Sequence, residues 1–555
     1  MPTRYQPALD LTSRFLQQKL VTRIWDRDVA AWGAAEGGTD ARSIDTRLGW
    51  LDIGESMRPH LDRLADLGEA ARAEHIEAVY LLGMGGSSLC AEVLRSVLGV
   101  RDGSPDVYVL DTTDERTITT AAARLTPERS WFLVSSKSGG TVEVASMERY
   151  FWGLLSAAVG DRAGRHFIAI TDPGTALKAL AESRRYREVF VNPADIGGRF
   201  SALSLFGLVP TALIGRSAEQ LLTAGETMAD GCRQEHPENP GLELGAFIGA
   251  TASAGRDKLT VVLPPSLSSL GLWIEQLTAE STGKHGKGAL PVVDEVLGRP
   301  DEYGPDRAFV AIRTDQDHVD EARLTALEQA GHPVLHLSTR LDGLGAEFFR
   351  WEFATAVAGV ALGINPFDEP NVSEAKEKTR ALLSAFASSK RLPEPSPAAS
   401  SDRVAVFSNG FVGDTPESIV AAAIASATPP DYVAFLSYLP PDSDVAAAVA
   451  EVRAGIRARR RVATTFGVGP RYLHSTGQYH KGGPNTAVAF VLTADDASQT
   501  PIPEVGYSFS VLKRAQALGD TETLIAHDRR TVRIHFKDAA AAAGTLESLF
   551  ANALR

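Results

Sequence analysis

Cysteine is nearly absent: the chain has two, Cys90 and Cys232, among 555 residues. Two thiols cannot make a disulfide framework, and neither lies in a close Cys/His cluster of the kind zinc needs. A reducing cytoplasm is the expected compartment. Long apolar runs are also lacking, since no stretch reaches the roughly 18 uninterrupted apolar residues of a membrane span. The start, Met1 to Gln6, carries no basic-then-apolar secretion pattern. Excess positive charge is missing too: 56 Lys and Arg against 69 Asp and Glu leave a net charge of −13. This provides no electrostatic footprint for nucleic acid or an acidic membrane, so any anion site must be a local exception. No internal repeat is evident. What remains, 44% apolar and 23% charged, is enough chain for two or three cores.

Residues 1–75 read as an amphipathic helical segment, with Phe15, Leu20, Val21 and Ile24 on its apolar side. From Ile76 the pattern changes to short apolar runs separated by helical stretches: 78–82, 107–110, 131–134 and 167–170. Each run is too short for a helix and is followed by one, which predicts βαβ units in a mainly parallel sheet. A second set follows Asp257, at 259–263, 308–312 and 334–337. The fold class is therefore α/β, with two similar domains in tandem over 76–240 and 241–389. The proline-bearing stretch 390–402 reads as a linker. Beyond it, 403–555 reads as a further α/β segment, with strands at 404–407, 432–435 and 488–491 and an Ala-rich helix from Asp538.

Two loops carry chemistry. Gly83-Met84-Gly85-Gly86-Ser87-Ser88 follows a strand and opens a helix, where glycines admit an anion to backbone amides and the helix N-terminus favours negative charge. A plain tight turn would look the same. Ser88 stands where a dinucleotide fingerprint needs its third glycine, and no Gly-Lys-Ser/Thr ending marks a nucleotide loop. The second loop, Ser135-Ser136-Lys137-Ser138-Gly139-Gly140-Thr141, adds hydroxyls and a cation. A helix cap needs only one such hydroxyl, so this loop predicts a phosphate site. Downstream, Glu280 lies in the run Glu275-Gln276-Leu277-Thr278-Ala279-Glu280-Ser281-Thr282-Gly283-Lys284. A carboxylate beside a phosphate cradle suggests proton transfer on a phosphosugar. A proton alpha to a carbonyl is too weakly acidic for a carboxylate unless a nearby cation stabilises the developing oxyanion. Arg199, in Gly197-Gly198-Arg199-Phe200-Ser201, could be that cation; local chemistry equally allows a surface salt bridge. The basic run 457–461 reads as a solvated helix end, and the acidic turns at 301–303 and 315–317 lack the ligand spacing of a calcium loop.

Together with Gly363-Ile364-Asn365-Pro366-Phe367-Asp368-Glu369-Pro370 and Lys376, these five motifs, in order over 76–380, resemble the glucose-6-phosphate isomerase family. The segment Gly469-Pro470-Arg471-Tyr472-Leu473-His474-Ser475-Thr476-Gly477-Gln478 resembles the isomerase half of transaldolase–isomerase fusion proteins, although no transaldolase portion is evident upstream. The resemblance implies two sugar isomerase domains of SIS type and aldose–ketose isomerisation of glucose 6-phosphate and fructose 6-phosphate through a cis-enediol, with no metal or other cofactor. By motif position, Ser136, Lys137, Ser138 and Thr141 would bind phosphate, with Gly86 and Ser87 lining the same pocket. Glu280 would move the proton, Arg199 would face the enediolate, Gln276 would position the sugar, and Lys376 with His474 would assist ring opening. Two alternatives stand beside this: additional mannose 6-phosphate isomerisation, and a non-catalytic sugar-phosphate-binding regulator.

The motif order departs from the family. The histidine stretch usually lies between the glutamate motif and the Asn-Pro-Phe-Asp segment, but here the order is Glu280, Lys376, His474. His285 and His480 are therefore alternatives to His474. In usual members the histidine comes from a partner subunit. Its place in a C-terminal segment leaves two arrangements: a homo-oligomer, or a site that one chain completes by itself.

Overall fold

A computed structural model describes residues 5–35, 37–441 and 444–554. Met1 to Arg4, on which the reading of the chain start partly rests, and Arg555 lie outside the described residues. Three sheets order the molecule. The first contains β1 (Ala78–Leu82), β2 (Asp106–Leu110), β3 (Ser130–Ser135), β4 (Phe167–Thr171) and β5 (Glu188–Val191), all parallel in the order β2-β1-β3-β4-β5. The second contains β6 (Lys258–Val262), β7 (Leu290–Val292), β8 (Arg307–Arg313) and β9 (Val334–Ser338), parallel in the order β7-β6-β8-β9. Their uninterrupted apolar character follows from helices covering both faces of a parallel sheet. β3 and β4 are buried along their whole length.

The third sheet is mixed. It contains β10 (Ala399–Ser400), β11 (Val404–Asn409), β12 (Tyr432–Ser437), β13 (Ala463–Val468), β14 (Ala487–Ala494) and β15 (Arg530–Phe536), in the order β10-β11-β15-β14-β12-β13. β10 and β11 run antiparallel to their neighbours. The stretch 390–402 is thus more than a spacer: it contributes an edge strand, and Glu394 accepts bonds from Arg514 at 2.8 and 2.9 Å and pairs with Arg533. The terminal helix spans Ala542–Ala551 and not the residues from Asp538, because the Asp538 carboxylate accepts the Ala540 amide in a turn at 2.9 Å. Among the described residues no helix is long and apolar enough to cross a membrane.

One large core joins the N-terminal helices to one face of both parallel sheets. Phe15, Leu20, Val21 and Ile24 are buried in it. Trp25 stacks at 6.0 Å on Phe349 and on Phe353 of the helix Leu344–Leu362, which is apolar around most of its circumference and accordingly lies inside. The other face of the first sheet has a core that takes in Ile502, Phe509 and Leu512 of the C-terminal segment; one face of the third sheet has its own core, and the other shares one with Ala279 and with Leu290 and Val292 of β7.

Polar groups add to the apolar contacts that fasten the C-terminal segment to the first sheet. Asp111 to Glu115, the turn after β2, engages it almost residue by residue. Asp111 pairs with Arg471 at 2.8 Å, Thr113 donates to Gln516 at 2.8 Å, and Asp114 pairs with Lys513 at 2.8 Å. The buried Glu115 carboxylate accepts from Ser498 Oγ (2.6 Å), Thr500 N (2.7 Å), Thr500 Oγ1 (2.9 Å) and Ser510 Oγ. Four donors on one carboxylate leave a large desolvation penalty if the acceptor is removed. Glu115→Ala should lower the unfolding free energy by about 3 kcal/mol, read by urea denaturation. A change under about 0.5 kcal/mol, the usual effect of a surface substitution, would mean that the clamp carries little of the docking.

Candidate active site

The two glycine- and serine-rich loops stand side by side, because β1 and β3 are neighbours and both loops leave their C-terminal ends. Ligand sites of open parallel sheets lie at such ends. Ser135 Oγ donates to Ser87 O at 2.8 Å and ties the loops together. Gly85 has φ of 55°, and a Cβ there would stand 2.7 Å from the His474 carbonyl oxygen and 2.9 Å from Gln276 Nε2. At Gly86 a Cβ would stand 2.0 Å from the Gly198 carbonyl oxygen. The missing side chains let four distant segments meet.

Thr141 is the N-cap of the helix Val142–Val159, and its Oγ1 lies 3.2 Å from Ser136 Oγ. Ser138, Gly140 and Thr141 line a cavity of about 550 Å³, which Lys376, His474 and Gln516 line from other segments. Lys137 is turned to Asp172, with which it pairs, and donates to Ala194 O at 3.1 Å. Ser138, Thr141 and the first helical residues Val142 and Glu143 therefore line the cavity, whereas Ser136 and Lys137 do not.

Arg199, 3% exposed, projects from the short turn Gly198–Phe200. Its Nε donates to Ser281 Oγ at 2.7 Å, and Nη2 donates to the carbonyls of Pro366 and Asp368 at 2.8 Å each. Nη1 faces two carboxylates, Glu369 Oε2 at 3.2 Å and Glu280 Oε1 at 3.5 Å. Glu280, 8% exposed, lies on the helix Leu270–Thr282 one turn after Gln276. Gln276 Nε2 donates to Glu280 Oε2 at 3.2 Å and to the His474 carbonyl at 2.8 Å, while its buried Oε1 has no hydrogen-bond partner. His474 Nε2 meets Glu143 Oε1 at 3.0 Å. Among the described residues no group of three or more His, Cys, Asp or Glu is placed to hold a metal ion.

The model of the phosphoglucose isomerase family matches residues 55–295, which include both loops, Arg199 and Glu280. A probable glucose-6-phosphate isomerase of Haloarcula marismortui is 30% identical over 351 residues, 55% of this chain and 78% of that relative. The chain belongs to the phosphoglucose isomerase family. The glucose-6-phosphate isomerase of Rubrobacter xylanophilus is 29% identical over 385 residues, 59% of this chain and 87% of that protein. Among solved structures, a hypothetical protein of Thermus thermophilus superposes with a TM-score of 0.59 at 26% identity, covering 69% of this chain and 99% of its own. A glucose-6-phosphate isomerase of Chlamydia trachomatis shares the fold, with a TM-score of 0.55 at 18% identity, 68% of this chain and 86% of its own.

The three candidate histidines differ in their surroundings. His285 is exposed in the turn after Lys284. His480 is buried, bonded through Nδ1 to Tyr432 OH at 2.9 Å, and burial followed by Lys481 and Arg529 presses its pKa down to about 3. His474 borders the cavity. Three further groups of this phosphoglucose isomerase family member carry no sequence signal of their own. Glu143 is acidic in a helix's first turn, a placement that the helix dipole alone would explain. Lys284, fully buried, donates to Asn365 O at 2.7 Å and pairs with Asp368 at 2.5 Å; burial and then Arg199 lower its pKa to about 8. Glu369, within the Asn365–Pro370 motif, reaches Arg199 at 3.2 Å.

Burial opposes ionisation of Glu143, but the charge and hydrogen bond of His474, with further help from Lys376, outweigh it and hold the carboxyl below its ordinary range. The Glu280 carboxyl lies above its ordinary range, chiefly through burial; Arg199 opposes the rise and Glu369 adds to it. A raised carboxyl pKa means that Glu280 loses its charge while pH is still above 4.5, as pH falls. Glu369→Gln removes one of the two rising causes and should move the Glu280 midpoint to lower pH. Carboxyl-¹³C glutamate NMR, with the Glu280 signal assigned from Glu280→Gln, checks this. An unmoved or raised midpoint would show that Glu369 does not act on Glu280.

Proposed function

We propose that Glu280 is the base that carries a proton between C2 and C1 as this enzyme interconverts glucose 6-phosphate and fructose 6-phosphate. The observation that carries this is the pairing of a buried carboxylate with a buried guanidinium, Glu280 and Arg199, 3.5 Å apart beside the loops. As the C2 proton leaves, negative charge passes to the C1 oxygen, and Arg199 supplies the fixed cation that this enediolate requires. Passing the O2 proton to O1 and returning the carried proton to C1 turns the C1 aldehyde into an alcohol and the C2 alcohol into a ketone, with no net gain or loss of atoms.

The sugar's phosphate sits at the start of the helix Val142–Val159, with donors from Ser136, Ser138, Thr141 and the loop amides. Lys137 adds its charge from behind, and Gly86 and Ser87 close the adjoining wall. Anchoring the phosphate, remote from the reacting carbons, provides binding energy that holds C1 and C2 against Glu280. The orphan acceptor Gln276 Oε1 takes a sugar hydroxyl. His474, with Nε2 on Glu143, offers Nδ1 to the ring oxygen and protonates it as the C1–O5 bond breaks and the C1 hydroxyl gives its proton to water, leaving the open-chain carbonyl. Lys376, exposed on the cavity wall with its charge directed at Glu143, assists. The regulator alternative is not favoured: burying Glu280 and Arg199 together costs folding energy that phosphate binding alone does not require.

A cytoplasmic setting is supported by both cysteines being unpaired and buried, their thiols pushed up to about 12 mainly by burial. We also propose that one chain completes its own site. The 3.0 Å contact of His474 with Glu143 and the Gln276 bridge to Glu280 both lie within a single chain, and the Asp111–Glu115 clamp holds the two segments together.

Glu280→Gln should lower kcat by about 10³-fold in a coupled dehydrogenase assay run from fructose 6-phosphate, with phosphosugar binding retained by calorimetry; an undiminished variant would remove Glu280 as the base. Mixing Glu280→Gln chains with His474→Ala chains should restore nothing beyond the sum of the two. Recovery of activity would show that the histidine is exchanged between subunits.

A further inference from the structure

The helix Phe509–Ala526 carries polar residues at 513, 516 and 520, spaced three and four apart and so on one face. That face is buried: Lys513 is 4%, Gln516 2% and Asp520 0% exposed. Polar side chains are not placed in such a setting without partners, and each of the three has a different one. Lys513 pairs with Asp114. Asp520 accepts from Tyr472 OH at 2.5 Å and pairs with Lys481 at 2.6 Å, on either side of His474 in the chain. Gln516 Nε2 donates to Glu143 Oε1 at 2.7 Å, the same oxygen that meets His474.

We propose that Gln516 is a positioning residue for the ring-opening step, fixing the Glu143 carboxylate and through it the His474 imidazole. This rests on the reading of His474 as the ring-opening acid. Glutamine suits the place for two reasons. First, its amide can be oriented: Thr113 Oγ1 donates to Gln516 Oε1 at 2.8 Å, so the NH₂ group must face the carboxylate. Second, the amide is neutral. A Lys or Arg in its place would compensate the Glu143 charge directly, whereas a neutral donor holds the carboxylate and leaves its charge to the imidazole. The two bonds fill the lone pairs of Oε1 and leave Glu143 little freedom to swing.

The test uses the full-length enzyme with glucose 6-phosphate and fructose 6-phosphate. Gln516→Met keeps the shape and removes both bonds; Gln516→Glu keeps the acceptor for Thr113 but turns lone pairs toward Glu143. The expected result is a fall in kcat of about 10- to 100-fold for Gln516→Met and a larger one for Gln516→Glu, with KM within about twofold of the parent. Thr113→Val should lower kcat in the same direction through loss of amide orientation, and Thr113→Ser should restore it. If Gln516 acts through His474, Gln516→Met should add no loss in a His474→Ala background. An equal fall in both backgrounds, unchanged kcat in Gln516→Met, or a fall in Thr113→Ser as large as in Thr113→Val would overturn the proposal. A His474→Ala enzyme with parental activity would overturn the histidine assignment itself, and the positioning role with it, and is recognised without reference to Gln516.

Discussion

The buried guanidinium of Arg199 is the constraint on which the site depends. A charge removed from water must be met on every side, and its three nitrogens are met from two other stretches of chain: Nε by Ser281 and Nη1 in part by Glu280 of one helix, Nη2 by the Pro366 and Asp368 carbonyls and Nη1 also by Glu369 of one loop. Satisfying one cation therefore brings the turn after the first sheet, the Glu280 helix and the Asn365–Glu369 loop to a single point. Phe200, next in sequence, packs its ring 5.4 Å from that of Trp50 and 5.2 Å from that of Phe367, so the turn is fixed by apolar contacts behind as well as by polar ones in front. Without Arg199, the buried Glu280 carboxylate would face the half-exposed carboxylate of Glu369 with no cation between them.

How much of this was legible in the sequence depended on distance along the chain. The apolar runs of β1, β3, β4 and β8 stand out because helices cover both faces of their sheets. β5 begins with Glu188 and is only partly buried, and β7 is three residues long with Pro291 at its centre, tolerated because it is an edge strand; neither carries a strand pattern. β15 alternates charge with apolar residues as if one face were wet, yet Arg533 is buried, its guanidinium 3.6 Å from the Phe407 ring centroid and paired with Glu394. No local pattern announces that.

The same rule separates the site residues. The loops at Gly83–Ser88 and Ser135–Thr141 and the Glu280 helix carry their chemistry in contiguous residues, so they could be recognised one at a time. Glu143 could not, since an acidic residue in a first helical turn has an ordinary explanation. Gln516 and Thr113 are 403 residues apart and Gln516 and Glu143 are 373 apart; no spacing argument links them. The displaced histidine segment was visible as an anomaly of order. Its physical counterpart, the acceptance of that segment by Asp111 to Glu115, was not, because those five residues read as an ordinary strand-to-helix turn.

The bare Cα of Gly85, pressed against the backbone of His474, has a consequence for how such a protein can change. The two residues are encoded nearly 400 codons apart, yet even a single added methyl at one would displace the other. The front and rear of the gene therefore cannot drift independently, and a chimera joining this C-terminal segment to another family member's first domain would succeed or fail at that contact before any question of chemistry arose.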